Sequence, residues 1–297
     1  MKKKYFYLLL ITVIVGFTAY VLLDTFVISR VYSKEVTAES AKTSDNVDVD
    51  AAKSAVKTAN SYSDGNISIS ITKYEQNDTV IYAADIKLSD ASLLKTALAQ
   101  KSYGRNVTEA TSSIAERVGA ILAINGDFYG SRESGYVIRG GTLYRDTPST
   151  NDALAIYEDG SFKIINQSDI SAYELLDDGA INVFSFGPAR VENGKVTVNK
   201  NTEVGKAMAN NPRTAIGLID DLHYVFVVSD GRTNESSGLS LYELAGFMEK
   251  LGVKTAYNFD GGGSSTMVFD GKVINNPTTN GKSIKERSVS DIVYIGY

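Results

Sequence analysis

One segment of the chain concentrates residues that bind oxygen-rich ligands. Asn258 and Asp260 follow the short apolar stretch Thr255–Tyr257, and three glycines and three hydroxyl residues come next. These six residues are Gly261, Gly262, Gly263, Ser264, Ser265 and Thr266. A glycine costs a folded chain roughly 0.5–1 kcal/mol relative to alanine, so a run of them is expected where φ is positive or a ligand approaches the backbone. The alternative is a plain turn between strands, which needs fewer glycines and no cluster of hydroxyls.

The residues of this segment are suited to binding rather than to nucleophilic attack. The single histidine, His223, lies in a strand pattern and offers no base, so the three hydroxyls are expected to donate hydrogen bonds to a phosphate or a sugar. The backbone amides of Gly261–Gly263 could form a concave anion site. The segment is not a nucleotide-binding loop, because the Gly-Lys-Ser/Thr ending is missing.

Two further apolar stretches end in polar turns of the same kind. One leads into Asn125 and Asp127, and the other leads into Asp230 and Arg232. Ligand sites in sheets collect where strand ends and loops converge, so three such turns predict a shared rim. The alternative is that Asn, Asp and Gly are simply the commonest turn residues.

Composition excludes several classes of function. The 297 residues are 43% hydrophobic and carry a formal net charge of −5, with no basic stripe to neutralise a nucleic acid. The absence of cysteine excludes disulfides and thiolate metal sites, and a single histidine argues against a Ser-His-Asp triad. Any bound metal would be a hard cation, calcium or magnesium, on oxygen ligands. The sequence identifies neither its ligands nor any other cofactor.

The N-terminus predicts a membrane anchor. Residues 1–4 include three lysines, and residues 5–28 are apolar enough and long enough to span the hydrocarbon core as a helix. A cleaved signal peptide is the alternative, but Val36–Ala38 makes a poor cleavage site. Lysines before the span keep residues 1–4 cytoplasmic. The prediction is therefore a single-pass protein of the cell membrane with an extracellular domain.

The rest of the chain is expected to form one domain on a stalk. Residues 29–65 are polar and predict the stalk, and residues 66–297 predict a single α+β domain, a mixed sheet with a few helices. Alternation predicts a hairpin from Ile67–Ile71 and Thr79–Ile86. The predicted helices are Ser89–Gln100, Val107–Arg117 and Leu241–Leu251. The last of these follows the strand His223–Val228 and precedes a strand at Thr255–Asn258, which predicts a βαβ crossover.

Five blocks of the sequence together resemble a known family. In order they are Ala123–Tyr129, Arg213–Gly217, Asp230–Arg232 with Gly238–Ala245, Asn258–Met267, and Glu286–Arg287. They are similar to the phosphodiester glycosidase family, which includes bacterial proteins of exopolysaccharide biosynthesis. The resemblance covers about residues 118–297, and the N-terminal third carries no motif of the family.

The resemblance implies hydrolysis of a sugar-1-phosphodiester on its glycosidic side, which releases the sugar and leaves a phosphomonoester. A phosphodiester is permanently anionic, and the planar fork of an arginine suits it. Arg213, Arg232 and Arg287 lie in the matching blocks and are the candidate phosphate ligands, although an arginine is by base rate more often a surface charge. The remaining predicted substrate-binding residues are Asn125, Asp230, Asn258, Gly261, Gly262, Gly263, Ser264, Ser265 and Thr266.

Two carboxyl groups ordinarily share the work at a glycosidic bond. Asp127 and Asp260 are the candidates, each a few residues past an apolar strand; Asp127 could equally be a metal ligand or a turn cap. Glu243 is a third catalytic candidate, but Ser240 three residues earlier also fits a capping box. The sequence leaves open which group is acid or base and whether configuration is retained.

Two tyrosines lie near the predicted site. Tyr129 and Tyr136 lie near the Asn125 turn and are candidates for stacking on a sugar or for ordinary strand packing.

Two hypotheses for the function follow from the sequence. The first hypothesis is a membrane-anchored extracellular hydrolase acting on a phosphodiester-linked cell-surface or exopolysaccharide polymer. The second is a non-catalytic polysaccharide-binding or wall-assembly protein that uses the same pocket. A metal-dependent phosphatase would need a denser cluster of Asp and His.

Overall fold

The computed structural model describes residues 2–35, 54–198 and 210–297. The helices in these ranges are α1 (Lys2–Phe26), α2 (Thr111–Arg117), α3 (Ala172–Asp177) and α4 (Leu241–Lys250). The strands are β1 (Arg30–Lys34), β2 (Val56–Lys57), β3 (Ser61–Ser63), β4 (Ile67–Gln76), β5 (Thr79–Leu88), β6 (Leu94–Leu98), β7 (Ser102–Arg105), β8 (Leu122–Asn125), β9 (Val137–Arg139), β10 (Thr142–Arg145), β11 (Asp152–Tyr157), β12 (Phe162–Asn166), β13 (Ala180–Phe184), β14 (Ala189–Glu192), β15 (Lys195–Val196), β16 (Arg213–Asp220), β17 (His223–Ser229), β18 (Thr255–Asn258), β19 (Met267–Phe269), β20 (Lys272–Val273) and β21 (Asp291–Ile295).

Sheets dominate the described part of the chain. A nine-stranded sheet has the order β15-β14-β18-β16-β17-β5-β4-β3-β2, and a five-stranded sheet has the order β20-β19-β8-β21-β6. A second five-stranded sheet runs β10-β9-β13-β11-β12, and β1 pairs with β7 alone. The few helices and the large sheets agree with the predicted α+β class.

The predicted hairpin and crossover are both confirmed. β4 and β5 pair along their full lengths, from Ile67 opposite Leu88 to Gln76 opposite Thr79. β17 and β18 each pair antiparallel with β16, which lies between them, so they run parallel to each other and α4 carries the crossover. The apolar face of α4 packs in one core cluster with residues of β16, β17 and β18.

Alternating side chains explain why the large sheet forms. Ile67, Ile69 and Ile71 of β4 are buried, whereas Ser68 and Ser70 between them are exposed. The three isoleucines join a core cluster that includes residues of β8, β17, β18 and β21. Each fully buried isoleucine contributes about 1.5–3 kcal/mol relative to an exposed one. This core fixes the strands whose ends carry the predicted site.

The predicted helix over Ser89–Gln100 is wrong. A 3-10 turn occupies Ala91–Leu93, the following residues form β6, and a second 3-10 turn begins at Ala99. The apolar residues of Ser89–Gln100 have helical spacing. However, β6 pairs in full with β21, from Leu94 opposite Ile295 to Leu98 opposite Asp291. Tertiary pairing therefore overrides the local pattern.

The predicted helix over Leu241–Leu251 is confirmed as α4. The predicted helix over Val107–Arg117 is only partly present. Helix α2 begins at Thr111. The residues before it are extended, because Glu109 forms a bridge with Val289 of the chain's C-terminal part, with backbone bonds in both directions.

The segment 29–65, predicted as a stalk, includes three strands. β1 pairs with β7, and β2 and β3 continue the edge of the nine-stranded sheet next to β4. Backbone pairing thus holds these residues against the domain, while residues 36–53 of the predicted stalk lie outside the described residues. The division of the chain into tail, span, stalk and domain otherwise remains a prediction.

Helix α1 has the length and composition of a membrane span. The most apolar stretch of 18 residues within Lys3–Phe26 has a mean hydropathy of 2.4, and none of that stretch is buried in the protein. A signal sequence near an N-terminus has the same character, so the span and its orientation remain predictions.

Candidate functional site

Asn125 ties the predicted strand ends together. Its Nδ2 donates to the carbonyl oxygen of Asp260 at 2.7 Å, and its Oδ1 accepts from the Thr214 hydroxyl at 2.7 Å and the Thr266 amide at 3.2 Å. The Asp260 amide also donates to the carbonyl of Gly126 at 3.2 Å. The amide of Asn125 is fully buried, and removing such a group leaves its partners unpaired. Asn125 therefore positions the site and has its hydrogen bonds already satisfied by the protein.

The three glycines permit close contacts with neighbouring segments. Gly262 has a φ of +64°, and a Cβ there would lie 2.9 Å from Nη2 of Arg232. A Cβ on Gly261 would lie 2.8 Å from the carbonyl oxygen of Pro212, and one on Gly263 would meet Thr279. The run of glycine is thus required by the protein's own packing, and at Gly262 it allows Arg232 to lie against the turn.

Asp260 and Arg287 form an ion pair beside this turn. Nη2 of Arg287 lies 3.0 Å from Oδ2 and 3.3 Å from Oδ1 of Asp260, and it also donates to the carbonyl of Gly261 at 2.8 Å. Nε of Arg287 donates to the Ser264 hydroxyl at 2.9 Å. The Asp260 side chain is 12% exposed and that of Arg287 is 40% exposed. The pair is therefore accessible from one side.

Burial raises the pKa of Asp260 above its ordinary value, and the charge of Arg287 opposes this shift. A carboxyl group with a raised pKa is a better proton acceptor than an ordinary aspartate. Asp260 is therefore the predicted catalytic residue whose surroundings best fit proton transfer.

Two further arginines approach the turn. Nε and Nη2 of Arg232 donate to Oδ1 of Asn211 at 3.1 and 2.9 Å, and Nη1 donates to the carbonyl of Thr279 at 2.7 Å. Nε of Arg213 donates to the carbonyl of Leu239 at 2.9 Å, and its Cδ lies 3.9 Å from where a Cβ of Gly261 would be. These bonds hold the guanidinium groups of all three predicted arginines around one backbone turn.

The three positive charges act on one another. Burial lowers the pKa of Arg213 to about 10, and the charge of Arg232 contributes. Burial also lowers the pKa of Arg232, and the charge of Arg287 adds to that shift. Mutually repelling cations with a single carboxylate among them make a region that attracts an anion.

Asp230 lies behind this region. Its Oδ1 accepts from the Asn276 amide at 2.7 Å and from Nδ2 of Asn275 at 3.1 Å, and burial raises its pKa. Oδ1 of Asn275 in turn accepts from the Met267 amide at 2.8 Å. Asp230 therefore fixes the loop after β20 to the segment that follows the glycines.

The carboxylate of Asp127 points into the protein. Its Oδ1 accepts from the Phe128 amide at 2.6 Å, its Oδ2 accepts from the Ser185 amide at 2.8 Å, and Nη2 of Arg139 lies 3.9 Å away. Asp127 is 2% exposed, and its own amide donates to Oδ1 of Asp291. These partners favour a positioning role over contact with a substrate, and the predicted catalytic role of Asp127 remains a prediction.

Glu243 forms the predicted capping box. Its Oε2 accepts from the amide of Ser240 at 2.8 Å and from the hydroxyl at 2.7 Å, and its own amide donates back to that hydroxyl at 3.2 Å. These contacts account for the carboxylate fully as a helix cap. Its catalytic role remains a prediction that these contacts do not favour.

Three polar atoms next to the glycine turn are buried and, among the described residues, have no hydrogen-bond partner. They are Oδ1 of Asn258, Oγ of Ser265 and Oγ1 of Thr266. Buried polar atoms are ordinarily bonded, and an unpaired one costs about 1–3 kcal/mol. Since all three atoms are shielded from solvent in this structure, the binding role of these residues remains a prediction.

The two predicted tyrosines are buried. The hydroxyl of Tyr136 donates to the carbonyls of Gln167 and Ile170, and that of Tyr129 donates to the carbonyl of Ser290. Tyr136 is 3% exposed, which fits a core residue better than a sugar platform. Tyr129 lines a cavity of about 380 Å³ that contains no residue of the glycine segment.

Among the described residues, no group of three or more His, Asp or Glu side chains is placed to hold a metal ion. The sequence left open whether a calcium or magnesium ion binds, and metal dependence stays an open question. The buried residues Arg139, Asp291 and Asn275 are important contacts that the sequence did not reveal. Only Asp291 offered a signal, since it places a charged residue directly before the apolar residues Ile292–Ile295.

Comparison with known protein sequences supports the resemblance seen in the motifs. The model of the phosphodiester glycosidase family matches residues 118–296. The SPbeta prophage-derived uncharacterized protein YomE of Bacillus subtilis is 32% identical over 203 residues, covering 66% of this chain and 31% of its own length. The N-acetylglucosamine-1-phosphodiester alpha-N-acetylglucosaminidase of Mus musculus is 28% identical over 178 residues, covering 54% of this chain and 34% of its own length.

Solved structures share the fold. The catalytic domain of zebrafish N-acetylglucosamine-1-phosphodiester alpha-N-acetylglucosaminidase, auto-inhibited by its pro-peptide, superposes with a TM-score of 0.62 at 20% identity, covering 78% of this chain and 83% of that one. A hypothetical protein from Synechocystis superposes with a TM-score of 0.60 at 15% identity, covering 77% and 62%. The chain spans about a third of the length of the curated relatives it matches. Since the family match extends over more than half of its residues, the chain belongs to the phosphodiester glycosidase family.

Proposed function

We propose that this protein is a hydrolase that cleaves the glycosidic bond of a sugar-1-phosphodiester. The observation that carries the proposal is the accessible Asp260–Arg287 pair beside Arg213 and Arg232 around one glycine turn. An anionic diester is recognised by the arginines, and a carboxyl group with a raised pKa stands next to them. Membership of the family supports the same bond type.

The proposed reaction needs one proton acceptor and a group of cations that binds the phosphate. Water adds through its oxygen to C1 of the sugar, the C1–O bond breaks, and the electron pair leaves with the phosphate. A phosphate monoester has its second pKa near 6, so it departs at neutral pH with little protonation. The arginines stabilise the charge that develops on it, and Asp260 takes the proton of the water. The products are the free sugar and a phosphomonoester.

The proposed setting is the outer surface of a cell membrane. The unburied apolar surface of α1 and the lysines in its first turn support an anchor with the domain outside the cell. The proposed substrate class is a phosphodiester-linked polymer of the cell surface or an exopolysaccharide.

A binding protein without catalysis is the second candidate, and one observation favours it. Glycosidases ordinarily use two carboxyl groups, whereas here Asp127 is turned into the core and Asp260 is ion-paired with Arg287. In that case the arginines would hold the same glycopolymer and the bond would stay intact.

The test incubates the full chain, in a neutral detergent, with an N-acetylglucosamine-1-phosphodiester and measures the free sugar. We expect release of the sugar and a loss of about 10²–10⁴-fold in Asp260→Asn. Asp270→Asn is the matched control, because Asp270 is an exposed aspartate that pairs with Lys57. Retained binding of the diester without any sugar release by the wild-type protein would support the binding role instead.

A further inference from the structure

A second concentration of arginine lies away from the glycine turn. The cavity of about 380 Å³ that Tyr129 lines is bordered by Arg105 of β7, Arg132 and Glu133 of the loop after β8, and Arg145 of β10. We call it the arginine cavity. In a chain with a net charge of −5, three cations and one carboxylate around a single cavity make a local positive region.

The arginines of this cavity are held largely by uncharged groups. Nε of Arg145 donates to the carbonyl of Gly135 at 2.6 Å, and Nη1 of Arg132 donates to the carbonyls of Ser185 and Phe186 at 3.2 and 3.3 Å. Carbonyl oxygens position a guanidinium group without neutralising it. The positive charge therefore remains available to a ligand.

Arg105 and Glu133 contribute the one ion pair of the cavity wall among the residues that the structure describes. Nη1 of Arg105 lies 3.9 Å from Oε1 of Glu133, whose side chain is 92% exposed. A pair this long and this exposed contributes little stability and neutralises little charge. An anion can replace Glu133 beside Arg105 without unfolding the wall.

The cavity is fixed to the end of α1. Nδ2 of Asn106, the residue after Arg105, donates to the carbonyls of Thr25 and Ile28 at 3.1 Å each, and the Ser29 hydroxyl donates to the carbonyl of Asn106 at 2.8 Å. The exposed ring of Tyr32 in β1 forms part of the cavity wall. The chain therefore leaves the apolar helix and borders the cavity within a few residues.

Aromatic rings complete the wall. The rings of Tyr32 and Tyr103 lie 6.0 Å apart, and both side chains border the cavity. Tyrosine is enriched at the level of lipid head groups, where its ring is in an apolar layer and its hydroxyl meets water. Arginine beside tyrosine at the end of an apolar helix is the arrangement expected of a surface that meets lipid phosphate.

We propose that the arginine cavity binds the phosphate head group of an anionic membrane lipid. The proposal rests on the proposed placement of α1 in a membrane and goes beyond the proposed hydrolysis. The arginines bind the phosphate through charge-assisted hydrogen bonds, and the tyrosine rings contact the glycerol part of the lipid. One bound lipid then fixes the orientation of the domain on the membrane surface.

The first experiment titrates the full chain, in a neutral detergent, with dihexanoyl phosphatidylglycerol and dihexanoyl phosphatidylcholine. Both lipids carry a phosphate, but only phosphatidylglycerol has a net charge, so we expect it to bind roughly tenfold more tightly. Glycerol 3-phosphate, a head group without acyl chains, is expected to bind more weakly than phosphatidylglycerol. Equal affinity for the two lipids overturns the proposal, as does glycerol 3-phosphate binding as tightly as phosphatidylglycerol.

Variants of the cavity test the assignment to these residues. Arg105→Gln is expected to weaken phosphatidylglycerol binding about five-fold, the effect of one surface cation, and Glu133→Gln is expected to strengthen it. Lys163→Gln removes an exposed positive charge from β12, outside the cavity, and serves as the control that leaves affinity unchanged. If Lys163→Gln weakens binding as much as Arg105→Gln, the effect is one of net charge and the cavity is not the site.

The same preparations separate this inference from the proposed function. Arg105→Gln is expected to keep wild-type hydrolysis of a soluble sugar-1-phosphodiester while it loses lipid affinity. Hydrolysis without preference for phosphatidylglycerol overturns the lipid site alone, and lipid binding without hydrolysis overturns the hydrolase alone. If alkaline carbonate releases the full chain from vesicles, α1 does not span the membrane, and the lipid site is overturned.

Discussion

Two clusters of aspartate and arginine use the same chemistry in opposite surroundings. In the surface cluster, Asp260 pairs with Arg287, whose side chain is 40% exposed. In the buried cluster, Arg139 pairs with Asp291 and lies 3.9 Å from Asp127, and all three side chains are at most 3% exposed. The residue types are alike, so the difference in burial decides what each cluster can do.

The buried cluster is suited to holding the fold. Nη2 of Arg139 lies 2.7 Å from Oδ2 of Asp291, and its guanidinium group lies 3.9 Å from the ring centre of Phe184. Charges removed from water in this way are retained only when every partner is in place. The surface cluster keeps contact with solvent and has further cations beside it, so it can exchange a protein contact for a substrate. This comparison favours Asp260 over Asp127 for the proposed catalytic role, which remains a prediction for both.

The largest expected effect is on stability. Arg139→Gln leaves two buried carboxylates without their cation, which is expected to cost about 3–5 kcal/mol of the free energy of unfolding. Arg287→Gln removes a cation that is itself 40% exposed from a carboxylate that is 12% exposed, so it is expected to cost less, about 1–3 kcal/mol. Urea unfolding of the two variants checks the difference. Equal losses would show that the surface cluster carries as much of the fold as the buried one.

The next effect is on activity, and here Arg287→Gln is expected to lose more than Arg139→Gln. Arg287→Gln removes a cation beside the departing phosphate, and kcat is expected to fall about 10²–10³-fold, as when one transition-state donor is removed. Initial rates of sugar release measure this loss. Arg117→Gln is the control, since Arg117 pairs with Glu109 outside the site. A kcat for Arg287→Gln within a few-fold of the wild-type value contradicts the proposed role of Arg287 beside the departing phosphate.

A smaller effect is the pH dependence of the buried cluster. Burial, with the charge of Asp127, raises the pKa of Asp291 from 3.8 to about 6. The folded state therefore binds this proton more tightly than the unfolded state, so the stability it contributes is fully present below pH 3.8 and is lost as pH rises through about 6. Urea midpoints of the wild-type protein and Asp291→Asn, compared at pH 5 and pH 7.5, check the sign. The wild-type advantage should shrink at the higher pH; growth of that advantage contradicts it.

The smallest expected effect concerns the two capping boxes. Glu243 caps α4 through Ser240, and Glu174 caps α3 through Ser171 in the same geometry. Glu243→Gln and Glu174→Gln are therefore expected to lower the melting temperature by similar small amounts, with hydrolysis following the folded fraction. Loss of hydrolysis in folded Glu243→Gln alone would restore Glu243 as a catalytic candidate.

Local signals in the sequence predicted much of the framework. The alternation of Ile67–Ile71 predicted β4, and the Ser240–Glu243 spacing predicted the cap of α4. The glycine and hydroxyl run marked the segment where three arginines converge. These features depend on neighbours a few residues apart, which is why a pattern in the chain was sufficient to find them.

Long-range contacts account for what the sequence did not predict. The helical spacing of Ser89–Gln100 is overridden by pairing with β21, almost two hundred residues later. The direction of the Asp127 side chain depends on Ser185 and Arg139, and the partner of Arg139 is Asp291, 152 positions away. No local periodicity carries that information, so the turns of Asp127 and Asp260 look alike in the sequence although only Asp260 pairs with an arginine at the glycine turn.

The most direct test of the central claim is the position of bond cleavage, followed by running the hydrolysis in water enriched in oxygen-18. Water that attacks C1 puts the label in the sugar and leaves the phosphomonoester unlabelled, and this is the result we predict. The phosphorus NMR isotope shift of the product reads the phosphate directly. Oxygen-18 in the phosphomonoester would show cleavage between phosphorus and oxygen and would contradict the proposed glycosidic hydrolysis.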